Sequence, residues 1–573
     1  MKIRHLSIRN FRGIQELEWH IVQPLICLIG QGDSTKSTIL DAINLCLSPS
    51  STLAFTDADF FNCEINNPIE IITTVGELPD LLISQDKFGN YLQGWSIDRG
   101  LIDEPEDDTE PVLSILLTVD NSLEPKWLVM NNRVTEGIII SATDRRKIGV
   151  TTLGMYMDQQ LSWGKYSALS RLTDNDDDIS SVLADASRRA REAVSSAPLT
   201  ELNKSAEKAN EIAKTFGVKP HNQYVVGLDA KLSVTGQATL TLHDGQIPTR
   251  MAGFGSRRLL TLAIQHESVP DGGIMLVDEI EIGLEPHRLR HLIRKLRPND
   301  ESKQQIFITT HSSVAIEECN AEELNIVHNN NGKIDIRPTS QDLQALVRKT
   351  SEAFLATKII ACEGATEVGF VRKIENFWQT TEGGKNTPFA CLGVFPVTST
   401  GGGGTEMPKN ALLLQKLGYH VAFLGDSDVP LNPTEEELET AGVKVLVWQD
   451  SKSIEERICL DLPFGGLDEF IEEAVNCVSE RGKPTTSVYD SIGSEFKLNS
   501  GEFQGKVQYL LEKGHSEDTV RRVVGQKAKD KGWFKRISYG EHLAKVVIQN
   551  LGKMTDTDVL GKLTALRVWA NES

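Results

Sequence analysis

The chain reads as α/β, in successive units whose apolar strands end in polar, chemistry-bearing loops. Three observations carry this. The apolar run Leu25-Ile26-Cys27-Leu28-Ile29 enters a Gly-bearing loop that opens a helix with Lys36-Ser37. Two further runs, Ile274-Met275-Leu276-Val277 and Gln305-Ile306-Phe307-Ile308-Thr309-Thr310, end in Asp278-Glu279 and His311-Ser312. Beyond them, Ile359-Ile360-Ala361-Cys362 and Val421-Ala422-Phe423-Leu424-Gly425 end in Glu363-Gly364-Ala365-Thr366-Glu367 and Asp426-Ser427-Asp428.

The first loop, Gly30-Gln31-Gly32-Asp33-Ser34-Thr35-Lys36-Ser37, has the strand–loop–helix context that a phosphate cradle needs. Backbone N–H groups and the helix dipole favour an anion there. Lys36 would reach the outer phosphates and Ser37 would coordinate Mg²⁺, with Gly30, Gly32, Ser34, Thr35 and Thr38 completing the nucleotide site. Thr35 stands where Gly is usual. A β-branched residue does not readily take φ > 0, so the loop is expected to hold its backbone further from the phosphates.

The 573 residues exceed one ordinary core and suggest about two to four domains. No apolar run approaches the ~20 residues of a membrane span, and the alternating start lacks a signal-peptide core, so the cytoplasm is expected. The eight cysteines are scattered without a CxxC pair, which reads as buried, reduced thiols. A net charge of −20 argues against a passive DNA coat but not against an enzyme with a basic channel. The acidic blocks at 103–108 and 174–178 read as solvated loops.

In chain order, Asn10-Phe11-Arg12-Gly13 is a turn after the first strand. Runs at 69–75, 112–119 and 126–130 are β-like and suggest an antiparallel sheet beside the loop. From 161 to 216 the pattern is helical, through Ile179, Val182, Leu183, Ala190, Val194, Leu202, Ala206, Ala209 and Ile212. It suits either a partner-binding hairpin or a plain surface bundle. Strands return near 224–228 and 238–242, followed by Gly253-Phe254-Gly255-Ser256-Arg257-Arg258 and a helix. Asn329-Asn330-Asn331-Gly332 is a turn, 341–356 is a polar helical link, and 401–404 is a flexible glycine loop.

An acid at a strand end can bind the Mg²⁺ held by Ser37, and the next can polarise the attacking water, which assigns Asp278 and Glu279. His311 would sit beside the γ-phosphate. The order of these features resembles the ABC-type ATPase heads of the SMC and RecF-like group. So do Asn10-Phe11-Arg12 and the loop Glu281-Ile282-Gly283-Leu284-Glu285-Pro286-His287. The resemblance implies that two subunits sandwich ATP, with Gly255 and Ser256 touching the nucleotide of the opposite subunit. Arg257 and Arg258 either assist or lie on a solvated face. Ile280 and Glu285 depart from the residues common in relatives, as Thr35 does.

Strand-Glu-Gly followed by strand-Asp-x-Asp resembles the Toprim domain of topoisomerases, primases and some nucleases. If the two strands are adjacent, Glu363, Asp426 and Asp428 converge, and Glu367 lies one helical turn on. Ser453-Ile454-Glu455-Glu456, after the strand at 443–447, adds Glu455. Clustered carboxylates require cations, and oxygen ligands select Mg²⁺ or Mn²⁺. The order ATPase head then Toprim resembles the OLD-family nucleases, which include anti-phage effectors. That implies two metals in the acidic site, a late lysine at the scissile phosphate, DNA as substrate, and association through the ATPase heads. It leaves room for a partner protein or nucleic acid in a defence system. The lysine match is Lys535, in Gly532-Trp533-Phe534-Lys535 amid Arg521, Arg522, Lys527, Lys529, Lys531 and Arg536. This segment reads equally as a DNA-holding surface with interleaved aromatics or as a solvated basic helix.

The expected divisions are 1–160 and 217–345 for the ATPase, 161–216 for a helical, dimerising insertion, and 346–573 for a Toprim domain with a basic end. The expected activity is an ATP-controlled, metal-dependent endonuclease with slow ATP turnover. The alternatives are an ATP-dependent clamp or scaffold and, behind it, a topoisomerase or primase.

Overall fold

The computed structural model describes the chain except residues 51–52, 135–136, 154–159, 164–166, 173–198, 217, 219–221, 230–238, 269–271, 299–303, 382–387, 399–405 and 573. The central part of the helical stretch at 161–216 and the glycine loop at 401–404 therefore lie outside the described residues. The chain divides into two compact units, Met1–Thr339 and Ser340–Ser573. The polar stretch after 340 starts the second unit, with helix Gln344–Lys349 in it.

The first unit is organised on one mixed sheet. Strands Val150–Leu153, Ile274–Val277, Gln305–Thr309, Leu25–Ile29 and Leu324–Asn330 lie side by side and parallel. Both faces of such strands are covered, which is why Leu25–Ile29, Ile274–Val277 and Gln305–Thr309 are buried at every position. The antiparallel strands expected beside the loop are present, and they continue the same sheet. The hairpin of Leu324–Asn330 and Lys333–Pro338 joins them, because Lys333–Pro338 also pairs with Ile14–His20. From there the sheet continues antiparallel through Lys2–Phe11, Ile69–Gly76, Glu110–Val119 and Pro125–Met130. Asn331 and Gly332, both with φ > 0, close that hairpin in the geometry that matches strand twist.

Helix Thr200–Thr215 turns Leu202, Ala206, Ala209 and Ile212 inward and packs on helix Phe254–Ser268. Its apolar stripe is thus used within this unit. Ile179, Val182, Leu183, Ala190 and Val194 lie outside the described residues.

The second unit has a parallel sheet in the order Val394–Thr398, Lys358–Cys362, His420–Gly425, Lys444–Val447. Helices from Ile454–Asp461 to Asp558–Asn571 complete its core, with Phe470, Trp533 and Phe534 buried among them. Helices Ala365–Thr381 and Ile537–Asn550 pack closely. A Cβ on Gly369 would lie 1.9 Å from the Ile537 carbonyl oxygen, and one on Gly540 would lie 2.1 Å from that of Thr366. Only glycine permits this approach from either side.

Two smaller expectations change. Cys63 and Cys391 are exposed, whereas the other six cysteines are buried. The block at 103–108 is exposed yet paired, Glu106 and Asp108 to Arg99 and Glu104 to Arg133. Among the described residues no helix is long and apolar enough to cross a membrane.

Candidate functional site

In the first unit, parallel register sets Val277 beside Ile308 and Ile308 beside Cys27. The polar residues that follow these strands therefore share the carboxyl edge of the sheet, where α/β folds place ligands. Ser37 Oγ donates to Asp278 Oδ1 at 2.9 Å, and Thr309 Oγ1 donates to the same oxygen at 2.5 Å. Thr309 Oγ1 in turn accepts from the Glu279 N–H at 2.8 Å, fixing the acidic pair against the neighbouring strand. Glu279 has φ +46°, a strained setting for a non-glycine residue.

The loop itself is tightly built. Gly30 has φ +143°, and a Cβ there would lie 2.6 Å from the Val327 carbonyl oxygen, so glycine is required. The Lys36 amine donates to the carbonyls of Gly30 (3.2 Å) and Gln31 (2.6 Å) and to Ser34 Oγ (3.0 Å). Burial of this amine lowers its pKa to about 8, against the pull of Asp278, Asp33 and Glu279. A buried ammonium with neutral oxygen partners suits a phosphate, so the loop fits ATP. Ser37, exposed, and Thr38 open the helix Lys36–Leu47, and Gly32 has open space around its Cα.

Thr35 corrects the sequence expectation. It does take the left-handed conformation, φ 67° and ψ 16°. The cost is about 1–2 kcal/mol for a residue with a Cβ. Its methyl is accommodated by Gly13, where a Cβ would lie 2.9 Å from Thr35 Cγ2. Next to Gly13, Arg12 is paired with Asp59 and with Asp41 of the Lys36 helix.

Gly255 and Ser256 lie in the first turn of helix Phe254–Ser268, whose start is exposed. Gly255 abuts Gly283, since a Cβ would lie 2.0 Å from the Gly283 oxygen, and Arg288 donates to Ser256 Oγ at 3.4 Å. Arg258 is not on a solvated face. It is buried and donates to the carbonyls of Asp278 and Glu279, both at 2.7 Å. His311 is exposed, and its backbone is held by Glu281, which accepts from the His311 N–H (2.7 Å) and from Thr310 Oγ1 (2.6 Å). Glu281 and Thr309 are positioning residues to which the sequence reading gave no role, although both stand within the motifs that flagged their neighbours.

In the second unit, Lys358–Cys362 and His420–Gly425 are neighbours, with Cys362 opposite Leu424. This brings Glu363 to Asp426: the Asp426 N–H donates to Glu363 Oε2 at 2.7 Å. Glu367 caps its own helix, accepting from the Gly364 N–H at 2.9 Å. Asp426 Oδ1 accepts from the Ile454 N–H at 2.8 Å, which draws in the start of helix Ile454–Asp461 and with it Glu455. Glu455 is 0% exposed, and neither of its carboxylate oxygens has a hydrogen-bond partner among the described residues. The nearest cation is Lys535, 3.9 Å from Glu455 Oε1.

These groups feel one another. Burial, then the charge of Glu455, pushes Glu367 up to about 7. Burial, then Glu367, Glu455 and Glu363, raises Asp426 well above the ordinary carboxylate range. Glu363 is raised by burial, against the Asp426 N–H. Burial works to lower Lys535, but Glu455, Glu367, Asp426 and Glu363 raise it overall. An orphaned buried carboxylate among like charges suits, by its chemistry, a hard cation such as Mg²⁺ or Mn²⁺. Among the described residues no three acidic, His or Cys side chains are arrayed around a single ligating point. Backbone N–H groups hold Glu363, Glu367 and Asp426 instead, and Lys529 holds Asp428.

Lys535 is placed by its surroundings. Thr366 Oγ1 donates to the Phe534 carbonyl at 3.0 Å, and the Gly369–Gly540 crossing follows at once. Asp428, whose charge also acts on Glu363, pairs with Lys529 at 2.6 Å.

The basic segment is corrected. Trp533 is 3% exposed and Phe534 0%, so neither presents a face for stacking on bases. Arg521 caps the carbonyls that end helix Ile454–Asp461, Arg522 pairs with Asp518, Lys527 with Glu495, and Lys529 with Asp428 and Glu456.

Two family models match the chain: "AAA ATPase domain" over residues 1–110, and "AAA domain, putative AbiEii toxin, Type IV TA system" over residues 164–317. No curated protein matches. Among solved structures, an SMC head bound to the C-winged helix domain of ScpA is 13% identical, covering 59% of this chain and 98% of that one, with a TM-score of 0.35. The SMC head domain from Thermotoga maritima is 12% identical over 59% of this chain and 100% of that one, at a TM-score of 0.30. An Smc head with an extended coiled coil, bound to a ScpA domain derived from Pyrococcus furiosus, is 13% identical over 59% and 96%, at 0.34. The family matches contain the phosphate loop, Gly255-Ser256, the Asp278-Glu279 pair and His311. Together with the geometry of the loop, they make the N-terminal unit a P-loop ATPase unit of the AAA kind.

Proposed function

We propose that the chain is an ATP-controlled, divalent-cation-dependent DNA endonuclease of the OLD type, whose second unit is a Toprim domain. The observation that carries this is Glu455, a fully buried carboxylate without a hydrogen-bond partner among the described residues, set against Glu367, Asp426 and Glu363. Such a group is relieved by a proton or by positive charge, and a divalent cation supplies more of that charge than Lys535 does from 3.9 Å.

In this reading Glu363, Glu367, Asp426, Asp428 and Glu455 hold two Mg²⁺ or Mn²⁺ ions. When bound, these activate water and stabilise the leaving oxygen of an in-line displacement. Lys535, held by Thr366 and the glycine crossing, presents its half-exposed ammonium to the scissile phosphate. In the ATPase unit Gly30, Gly32, Ser34, Thr35, Lys36 and Thr38 surround the phosphates, and Ser37 and Asp278 hold the Mg²⁺ of ATP. Glu279 orients water, and His311 reads the γ-phosphate. Gly255 and Ser256, half-buried at a helix start, serve the nucleotide of a second copy, so the active form is a homodimer or larger, in the cytoplasm. The AbiEii toxin named by one matching family supports a defence role.

A second reading, an ATP-dependent clamp without nuclease activity, is favoured by the internal pairing of the basic segment. Plasmid cleavage with Mg²⁺ or Mn²⁺ separates the two. Cutting that disappears in Glu363→Ala and in Asp426→Ala supports the nuclease. Unimpaired cutting in both contradicts the site, and a folded, cation-binding protein that cuts neither DNA nor RNA under any nucleotide condition supports the clamp.

A further inference from the structure

The acidic site has two parts that differ in what neutralises them. The inner part, Glu363, Glu367, Asp426 and Glu455, has one lysine nearby, and its contact is long: Lys535 stands 3.9 Å from Glu455. The outer part already holds its counter-ions. Lys529 Nζ lies 2.6 Å from Asp428 Oδ2 and 3.2 Å from Glu456 Oε2. Glu456 is itself fixed, capping its helix through the Ser453 N–H at 3.1 Å and pairing with Lys452 at 3.2 Å. Lys529 is thus an ammonium clamped between two carboxylates, from the last turn of helix Glu517–Lys531.

We propose that Lys529 is a built-in counter-ion that holds the outer cation position closed, so that a second divalent ion binds only by displacing it from Asp428. This rests on the cation reading of the site given above and deepens it by making the two positions unequal. The inner position, with an orphaned carboxylate, fills first. The outer one fills only when Lys529 swings away, an exchange of one ion pair for another. Its flexible stem permits this without moving the helix. Glu456 keeps Lys452 when Lys529 leaves, so the exchange does not strand a second buried charge.

The test is Mn²⁺ binding to the nucleotide-free full chain, followed by the electron paramagnetic resonance of the free ion. Asp278→Asn is present throughout to silence the ATPase position. The protein with Lys529 intact should bind one Mn²⁺ tightly and a second at least tenfold more weakly. Lys529→Gln should tighten the second site at least tenfold, Lys529→Arg should leave it weak, and adding Asp428→Asn to Lys529→Gln should abolish the gain. Lys527→Gln, whose partner Glu495 lies elsewhere, should change nothing. Melting curves confirm that each variant is folded. Two equal tight sites with Lys529 intact, or an unchanged second site in Lys529→Gln, overturns the counter-ion role while leaving the cation site standing. No Mn²⁺ bound by any variant overturns both.

Discussion

The Asp426 N–H donates to Glu363 Oε2 at 2.7 Å, tying together the ends of two adjacent parallel strands. The carboxylate that a cation would use is thus parked on a backbone donor, and the Ile454 N–H holds Asp426 in the same way. Glu363 and Asp426 are thus brought together but turned onto backbone donors, with Lys535 as the positive charge beside the group.

Glu455 tests that statement. Glu455→Gln removes one buried like charge, so the melting temperature in chelator should rise and its increase on adding Mn²⁺ should shrink. If Glu455 served only as an ion-pair partner of Lys535, the variant would melt lower and respond to Mn²⁺ as wild type does. Differential scanning calorimetry distinguishes the two.

The glycine crossing should matter to chemistry at the second unit alone. Gly540→Ala forces helices Ala365–Thr381 and Ile537–Asn550 apart, at about 1–3 kcal/mol. Moving Lys535 with them should cost at least tenfold in cleavage. ATP turnover should be unchanged. Gly561→Ala, where a Cβ would meet nothing within 4 Å, is the matched control and should leave cleavage intact.

Thr35→Gly should keep ATP binding and hydrolyse ATP at or above the wild-type rate. The left-handed backbone no longer carries a Cβ, although glycine's unfolded-state entropy returns roughly 0.5–1 kcal/mol of that gain. A clear loss of binding, measured by calorimetry, would show that the Thr35 methyl against Gly13 is needed to shape the loop.

Lys36 gives a pH dependence. Its folded pKa, about 8, is below the ordinary 10.5, so the unfolded chain binds the extra proton between those values. Stability therefore rises with pH across that window as the buried charge is lost. ATP affinity should move the opposite way, falling above pH 8 because the amine must regain its proton to meet phosphate. Calorimetry in two buffers of different ionisation enthalpy should show proton uptake approaching one per ATP at pH 9 and little at pH 7. Equal uptake at both values would refute it.

Much of this was legible in the chain. Buried parallel strands are continuous apolar runs, so Leu25–Ile29 and Ile274–Val277 could be read with their bounds and Lys358–Cys362 to within one residue, with polar or acidic residues following each. Partnership was not legible. Counting charges left 521–536 between a binding surface and a solvated basic helix, but Arg521, Lys527 and Lys529 face carbonyls and acids brought near only by folding. The same holds for Arg258, whose burial depends on a strand some twenty residues later. Gly369 and Gly540 carry no local signature, because each is explained by the backbone of the other's helix. Thr35 was misread because propensity alone does not show the space that Gly13 leaves.

The central claim is that nucleotide at the first unit governs cleavage by the second. Plasmid cleavage with ATP, a non-hydrolysable analogue or no nucleotide, run on wild type, Lys36→Ala and Asp426→Ala, tests it most directly. The account predicts wild-type cutting that differs between nucleotide states, a Lys36→Ala protein whose cutting ignores nucleotide, and no cutting by Asp426→Ala under any condition. Cutting by Asp426→Ala, or a Lys36→Ala protein that responds to nucleotide as wild type does, would contradict it.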